Sequence, residues 1–165
     1  MGNNDWRYAL RARDFFESVR NAAEDAERTS HTLLRMQGRE LPRGMGTSPG
    51  HGAGTPDVMR PSDAVMDYEA MVRRRVQRDW DLIDEACTVL YGPDQDGTAG
   101  INALLGSATA DAMWWRYCAA VKWGEVADKL DLSKNHCQHL CNVAFDMIDS
   151  LGMGAVKLAD GGADW

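Results

Sequence analysis

The sequence predicts an all-α protein in which a long helical hairpin precedes a C-terminal helix-turn-helix. Two long segments, 5–37 and 61–91, each carry one narrow apolar stripe at helical spacing. A glycine- and proline-rich stretch separates these two segments, and shorter helical patterns follow them. No segment alternates apolar and polar residues as a half-buried strand does. We therefore expect helices throughout and no sheet.

The first helix is predicted over 5–37. Its apolar residues alternate spacings of four and three, which gives the period of about 3.5 that paired long helices use. Six arginines and six acidic residues mix on its polar faces. A stripe this narrow needs a partner helix, because a lone helix gains little from it. The stripe consists of Tyr8, Ala12, Phe15, Val19, Ala22, Ala26, Thr29 and Leu33.

A flexible loop is predicted over 38–60, where six glycines and three prolines fall within 23 residues. The second long helix then begins at Pro61-Ser62-Asp63 and runs to about Tyr91. Because the two helices match in length, we expect an antiparallel hairpin over 1–92 whose remaining apolar surface forms a homodimer. The second stripe consists of Val65, Tyr68, Val72, Val76, Trp80, Ile83, Cys87 and Leu90.

A basic cluster lies on the second helix and has two interpretations. Its arginines either contact phosphate groups or form a solvated face that is balanced by ion pairs four residues apart, as charged helix faces usually do. The pairs expected in the second case are Glu69–Arg73 and Arg75–Asp79. The cluster consists of Arg73, Arg74, Arg75 and Arg78.

The C-terminal domain is predicted over 101–151, after a linker at 93–100 and before a flexible tail at 152–165. A short helix around Ile101 and a helix from Ala110 to Val121 open this domain. The tail is rich in glycine and acidic residues, and we expect it to fray.

The stretch from Trp123 to Ile148 predicts a helix-turn-helix. A short amphipathic helix leads to a turn at Asp131 and Leu132, and Ser133 is a favourable N-cap for the next helix. That second helix buries one apolar face and exposes a polar one. In DNA-binding proteins of this type the second helix enters the major groove. The candidate DNA-binding residues on its polar face are Lys134, Asn135, His136, Gln138, His139 and Asn142.

The charge of this region argues for weak binding to DNA. Between Asp111 and Leu151, four basic residues stand against six acidic ones, and the whole chain has a net charge of −7. Phosphate contacts require lysine and arginine and supply much of the affinity for DNA. The module would therefore need a second copy or a partner that holds it on DNA.

Histidine and cysteine residues also lie close together on the second helix of the helix-turn-helix, a pattern that is found in zinc sites. Cys137 and Cys141 lie four residues apart on one face, while His136 and His139 point away from Cys137. A tetrahedral site needs four converging ligands, so we expect two buried cysteines and two solvated histidines. We expect no metal, no cofactor and no enzymatic activity. With no long apolar segment and no apolar leader, the sequence predicts a cytoplasmic protein without membrane contact.

The order of residues in this region resembles the fourth region of bacterial sigma factors. There, a helix ending near a tyrosine precedes a packing helix of the pattern E-[IV]-A-x-x-L-x-[IL]-S, and the reading helix closes on A-[LF]. Here Trp115-Arg116-Tyr117 precedes Glu125-Val126-Ala127, and Leu130-Asp-Leu-Ser133 and Ala144-Phe145 follow. The resemblance implies a sigma-like helix-turn-helix.

A wider part of the chain resembles phage and prophage transcriptional regulators of the ArpU/RinA type. Their second long helix opens with D-x-V-x-D-Y/L-E, which is Asp63-Ala-Val65-Met-Asp67-Tyr68-Glu69 here. They also carry an R-Y segment before W-x-E-[IV]-A, which is Arg116-Tyr117 and Trp123-Gly124-Glu125-Val126-Ala127 here. This resemblance covers Asp63 to Gly152 and implies control of phage or prophage genes, late ones in particular. It departs from the pattern at Cys137 and Cys141, where aliphatic residues are usual.

Two alternatives remain open at this point. A phage terminase small subunit also combines a helix-turn-helix with a helical oligomerisation region, but it serves DNA packaging. A protein-interaction module could instead use the acidic helix-turn-helix to contact RNA polymerase or a sigma subunit without binding DNA.

Overall fold

Helices account for most of the structure, a computed structural model that describes residues 10–40 and 59–162. No strand occurs in these two ranges, so the all-α prediction is confirmed. A π-helical segment, Trp114–Cys118, interrupts the helical order. The helices are α1 (Ala12–Glu40), α2 (Met59–Tyr91), α3 (Ile101–Leu105), α4 (Ser107–Met113), α5 (Trp123–Leu130), α6 (Lys134–Leu151) and α7 (Met153–Leu158).

The chain divides into two compact units, and the boundary falls inside both long helices. The first unit combines 1–24 with 81–165, and the second unit comprises 25–80. The first unit therefore takes in the start of α1 and the end of α2, as well as the segment predicted as the C-terminal domain. Most of the predicted loop, 41–58, lies outside the described residues.

An aromatic cluster forms the centre of the first unit. Phe16 of α1 is fully buried, and its ring centroid lies 5.8 Å from that of Tyr117 and 5.9 Å from that of Phe145. Tyr117 in turn contacts Phe145 at 5.5 Å and Trp123 at 6.4 Å, both edge to face. Such geometries add to the burial of large apolar area. The start of α1 thus belongs to the same core as α5 and α6.

The segment predicted as a linker, 93–100, forms a series of hydrogen-bonded turns. The Gly97 amide donates to the Tyr91 carbonyl at 2.9 Å, and Thr98 donates to the Asp96 carboxylate at 3.0 Å. Gly100 has a φ of 78°, and a β-carbon at this position would lie 2.5 Å from the Val89 carbonyl oxygen. Glycine is therefore required here, both for the backbone angle and for the close approach of α2.

The tail expected to fray instead forms α7 as far as Leu158. Met153 and Val156 are buried, and the Ala159 carbonyl accepts a hydrogen bond from Gly100 at 2.9 Å. Lys157 also forms a 3.5 Å ion pair with Glu85. The glycine content suggested disorder, but two apolar side chains at helical spacing anchor the segment to the core.

The second unit brings the later half of α1 beside the first part of α2. Arg75 donates to the Asp25 carboxylate at 3.1 Å and to the Thr29 hydroxyl at 2.8 Å. Asp25 also shares a hydrogen bond with Asp79. These pairings run antiparallel, as the predicted hairpin requires. Arg75 thus pairs across the two helices with Asp25, which corrects the pairing with Asp79 that its spacing suggested.

The contact between the Asp25 and Asp79 carboxyl groups shifts their pKa values in opposite directions. Burial, reinforced by the neighbouring Asp25 carboxyl, raises the pKa of Asp79 to about 6. The hydrogen bond from Asp79 lowers the pKa of Asp25. Asp79 is therefore the first carboxyl group of the pair to take up a proton as the pH falls, and the Arg75 guanidinium favours the charged form of Asp25.

The predicted stripes agree with the observed burial on α1 better than on α2. Ala12, Phe15, Val19, Ala22, Ala26 and Thr29 are all buried as predicted and Leu33 is half-buried, whereas Tyr8 lies outside the described residues. On α2, Tyr68 and Trp80 are 42% and 53% exposed, so their assignment to the buried stripe was wrong. The other expected ion pair, Glu69–Arg73, is present at 3.8 Å.

Candidate nucleic-acid interface

A tight turn joins α5 to α6 as the sequence predicted. Asp131 adopts the left-handed conformation with φ 54° and ψ 44°, and the Leu132 amide donates to the Ala127 carbonyl at 3.1 Å. Ser133 then caps α6, because its hydroxyl oxygen accepts a hydrogen bond from the His136 amide at 3.1 Å. Both the turn and the N-cap are thus confirmed. They hold the start of α6 at a defined angle to α5.

The π-helical segment Trp114–Cys118 precedes this pair of helices, although the sequence predicted a continuous helix from Ala110 to Val121. The Ala119 amide donates to the Trp114 carbonyl at 3.0 Å, a bond that spans five residues instead of four. The wider turn ends the helix and places Ala120 at a φ of 55°. The chain then enters α5 through a short extended connection.

Two of the cations counted in this region lie against tryptophan rings. The Arg116 guanidinium lies 4.7 Å from the Trp123 ring centroid, and Arg116 also donates to the Val121 carbonyl at 3.3 Å. The Lys129 ammonium lies 4.4 Å from the Trp115 ring centroid. Cation–π contacts of this kind hold the charges in place. Arg116 and Lys129 therefore stabilise the packing behind α6.

The first turn and the outer face of α6 carry four of the six candidate DNA-binding residues. Lys134, Asn135, His136 and His139 are all exposed. Asn135, His136 and His139 point away from the buried residues of α6, whereas Lys134 is exposed because it begins the helix. The buried residues are Cys137, Cys141, Ala144, Phe145 and Ile148. The predicted division of this helix into an apolar inner face and a polar outer face is thus confirmed.

The other two candidates, Gln138 and Asn142, lie at a cleft between α6 and the start of α1. The Arg13 guanidinium donates to the Asn142 side-chain oxygen at 2.6 Å and lies 4.9 Å from the Phe145 ring centroid. Gln138 is half-buried. The cleft has a volume of about 230 Å³ and is lined by Arg13, Tyr117, Trp123, Gln138, Cys141 and Asn142.

Two residues of this surface were missed by the sequence reasoning. Arg13 lies 129 positions before its partner Asn142, so no local pattern could indicate it. Val143 is 38% exposed, and its place on the outer face could have been found by continuing the helical spacing from His136 and His139. Asp146, which is exposed on the same side, makes the far end of this face acidic.

The cysteines and histidines of α6 lie where the sequence predicted. Cys137 and Cys141 are buried, while His136 and His139 are exposed. Burial raises the pKa of both thiols, that of Cys141 to about 12, so both remain protonated at neutral pH. No group of three potential metal ligands occurs among the residues placed by the structure.

The start of α1 is fixed to the end of α6 by a capping interaction. The Ala12 amide donates to the Asp149 carboxylate at 2.8 Å, which places a negative charge at the N-terminus of α1. Together with the bond from Arg13 to Asn142, this contact docks α1 along α6. The candidate interface is therefore built from both segments.

Comparisons with protein-family models, with curated proteins and with solved structures found no match for this chain. The geometry of α1, α5 and α6 and the residue pattern are thus the two grounds for a functional proposal. No helix in 10–40 or 59–162 is long and apolar enough to span a membrane.

Proposed function

We propose that this chain is a DNA-binding transcriptional regulator of phage or prophage genes, and of late genes in particular. The observation that carries the proposal is the exposed polar face of α6, whose first turns follow a tight, serine-capped turn. A short packing helix, a turn and a second helix with a free polar face is the arrangement with which helix-turn-helix proteins enter the major groove. The resemblance to ArpU/RinA-type regulators supplies the class of target genes.

The residues on the outer face of α6 suit the reading of base edges. Asn135 matches adenine through two hydrogen bonds, and Lys134 matches guanine. His139 is placed one turn further along on the same face, and the exposed Val143 suits the methyl group of thymine. His136 supports these contacts at the phosphate backbone.

The cleft residues contribute from the side of the helix. Gln138 also suits adenine, but it must swing out of its half-buried position to reach a base edge. Arg13 holds Asn142 by a 2.6 Å hydrogen bond and adds to this surface a cation that the local charge count omitted. Asn142 and Arg13 are therefore proposed as phosphate contacts next to the reading residues.

A monomer of this chain is expected to bind DNA weakly, because few cationic side chains face outward. Dimerisation would compensate, since linking two modules turns the second contact into an intramolecular one. The second unit offers a surface for this purpose, because it exposes large apolar side chains, which often mark an interaction site. These side chains are Leu34, Met66, Tyr68, Met71 and Trp80, between 39% and 66% exposed. We therefore propose a homodimer formed through the second unit.

Sedimentation velocity at micromolar concentration tests the dimer. The parent chain is expected to sediment as a dimer, and the double variant Trp80→Ala, Tyr68→Ala as a monomer. Leu158→Ala provides a matched control, because Leu158 is 69% exposed but belongs to the first unit. A parent chain that sediments only as a monomer would contradict the proposal.

Selection from a pool of random DNA duplexes tests the DNA-binding proposal without a known operator. The purified chain is expected to enrich a sequence motif, and fluorescence anisotropy then measures binding to that motif. Asn135→Ala should weaken binding to the motif by about 1–3 kcal/mol and leave binding to unrelated duplexes similar. Thermal stability should change by less than about 0.5 kcal/mol, because Asn135 is exposed.

Asn21→Ala is the matched control, because Asn21 is also an exposed asparagine within a helix of the first unit. This variant should bind the selected motif as the parent does. If no motif is enriched, or if Asn135→Ala and Asn21→Ala bind alike, α6 does not read DNA.

A second candidate function has its own support in the far end of α6. Val143 and Asp146 give the outer face an exposed apolar residue beside an acidic one, which favours a protein partner over a polyanion. RNA polymerase or a sigma subunit is the proposed partner in that case. Loss of polymerase binding on Val143→Asp, with DNA selection failing, would favour this alternative.

A further inference from the structure

The arginine cluster of α2 divides into two pairs that differ in their surroundings. Arg73 and Arg75 each form an ion pair with a carboxylate, at 3.8 Å and 3.1 Å, so acidic side chains balance both. Arg74 and Arg78 are exposed, and neither forms an ion pair within the part of the chain that the structure describes. The cluster is therefore a balanced face in one half only.

Arg74 and Arg78 lie one helical turn apart and line the same groove. Side chains four residues apart stand on the same face of a helix, with their β-carbons about 5–6 Å apart. The groove has a volume of about 410 Å³, and its described lining consists of Arg74, Gln77 and Arg78. All three residues belong to the second unit, whereas α5 and α6 belong to the first. The groove thus presents two guanidinium groups and an amide on a surface separate from α6.

The chemistry of this groove favours a phosphate-bearing partner. A guanidinium group donates paired hydrogen bonds to phosphate oxygens, and glutamine is also a common phosphate contact in DNA complexes. A protein interface instead has an apolar core, and no apolar side chain is among the described lining residues. The whole chain has a net charge of −7, so attraction of a polyanion must come from a local surface of this kind.

We propose that the groove formed by Arg74, Gln77 and Arg78 binds the phosphate backbone of double-stranded DNA without regard to base sequence. The inference rests on the proposed function for the choice of DNA as the partner, but it assigns the contact to a different surface. A duplex suits the groove because it offers closely spaced phosphates at every step. The contact supplies affinity that the first unit lacks, where Arg116 and Lys129 lie against tryptophan rings.

The salt dependence of binding to an unselected DNA duplex tests the proposal. Fluorescence anisotropy measures binding of the full chain to a labelled duplex of random sequence over a series of potassium chloride concentrations. Each phosphate contact adds roughly 0.9 to the slope of log K against log salt, so Arg74→Gln with Arg78→Gln should lower the slope by about 1.8. A fourfold rise in salt should then weaken binding of the parent chain about 12 times more than that of the double variant.

Arg28→Gln with Arg73→Gln is the matched control, because it changes the net charge by the same amount within the second unit. The two side chains are 75% and 60% exposed, but each already pairs with a carboxylate. The control should therefore keep the slope of the parent chain. Equal slopes for the two double variants would overturn the proposal.

Further measurements separate loss of the phosphate contact from loss of structure. Circular dichroism and sedimentation velocity should show that the double variant keeps the melting temperature and the association state of the parent chain. Arg74→Lys with Arg78→Lys should restore most of the slope, because the attraction depends on charge.

Phenylglyoxal, which modifies exposed arginines, gives a measure on the parent chain alone. The random duplex should protect Arg74 and Arg78 from modification more than it protects Arg28. This result decides the matter if the double variant does not fold. Equal modification of the three arginines with and without the duplex would refute the contact.

The outcomes distinguish this inference from the proposed reading of DNA by α6. If a motif is enriched but the two double variants have equal slopes, the groove contact fails and the reading by α6 stands. If no motif is enriched but the slope still falls on Arg74→Gln with Arg78→Gln, the groove contact stands alone. Asn135→Ala should leave binding to the random duplex unchanged.

Two other results would overturn the groove contact with DNA. The first is a parent chain that binds no duplex at low salt. The second is a double variant that loses binding to polyglutamate but binds the duplex as the parent does, which would identify an acidic protein as the partner.

Discussion

The burial of Phe16 predicts that α1 contributes directly to the stability of the candidate DNA-binding unit. Phe16→Ala removes a fully buried ring that contacts both Tyr117 and Phe145. Replacing a buried phenylalanine with alanine costs about 3–5 kcal/mol, through lost transfer free energy and the remaining cavity. We expect the upper part of this range, because each of the two ring contacts adds about 0.5–1.5 kcal/mol beyond burial.

Urea unfolding followed by tryptophan fluorescence measures this loss, since Trp114, Trp115 and Trp123 all belong to the first unit. Asn21→Ala is the control on the same helix, because Asn21 is exposed and lies in the same unit as Phe16. That variant should change the unfolding free energy by less than about 0.5 kcal/mol. A Phe16→Ala loss below about 1 kcal/mol would refute the shared core.

Three further predictions follow from local features. Ser133→Ala should lower the thermal stability of the first unit by about 1 kcal/mol through loss of the α6 N-cap, measured by circular dichroism; an unchanged melting temperature would count against the cap. Gly100→Ala should lower the stability of the first unit by more than Ser133→Ala does, because the new β-carbon would clash with the Val89 carbonyl. A calorimetric melting temperature equal to that of the parent chain would contradict this close approach. Asp79 has a pKa raised to about 6, so its contribution to stability is full below its ordinary value of 3.8 and is lost as pH rises through about 6. The unfolding free energy of the second unit should therefore fall over that window, and Asp79→Asn should flatten the fall; the same slope in both proteins would contradict the raised pKa of Asp79.

Sequence reasoning succeeded where one helix determines its own features. The Ser133 cap depends on a bond to the amide three residues later, and the burial of Cys137 and Cys141 depends on the period of α6. These are local properties, so the sequence displays them directly. The same holds for the exposure of Asn135 and His139.

The failures have a common physical cause, which is packing between distant segments. Phe16 lies outside the narrow stripe of α1 but is buried, because α1 is covered on a wider face than a paired helix needs. Trp80 fits the stripe of α2 but is exposed. Val156 anchors a segment whose glycines suggested fraying. The contact of Arg13 with Asn142 has no trace in either local pattern.

The docking of α1 against α6 also bears on the order in which the protein can fold during synthesis. The hydrogen bond from the Ala12 amide to the Asp149 carboxylate can form only after the ribosome has added Asp149, 137 residues later. Until then Phe15 and Phe16 have left the ribosome, but the later residues that cover them have not. Contacts between residues so far apart in sequence also form slowly. A nascent chain would therefore expose this apolar surface for most of its synthesis, the condition in which chaperones bind. A product that stops before α6 would lack both the candidate DNA-binding helix and the cover for α1, so incomplete chains would be removed instead of competing with complete ones.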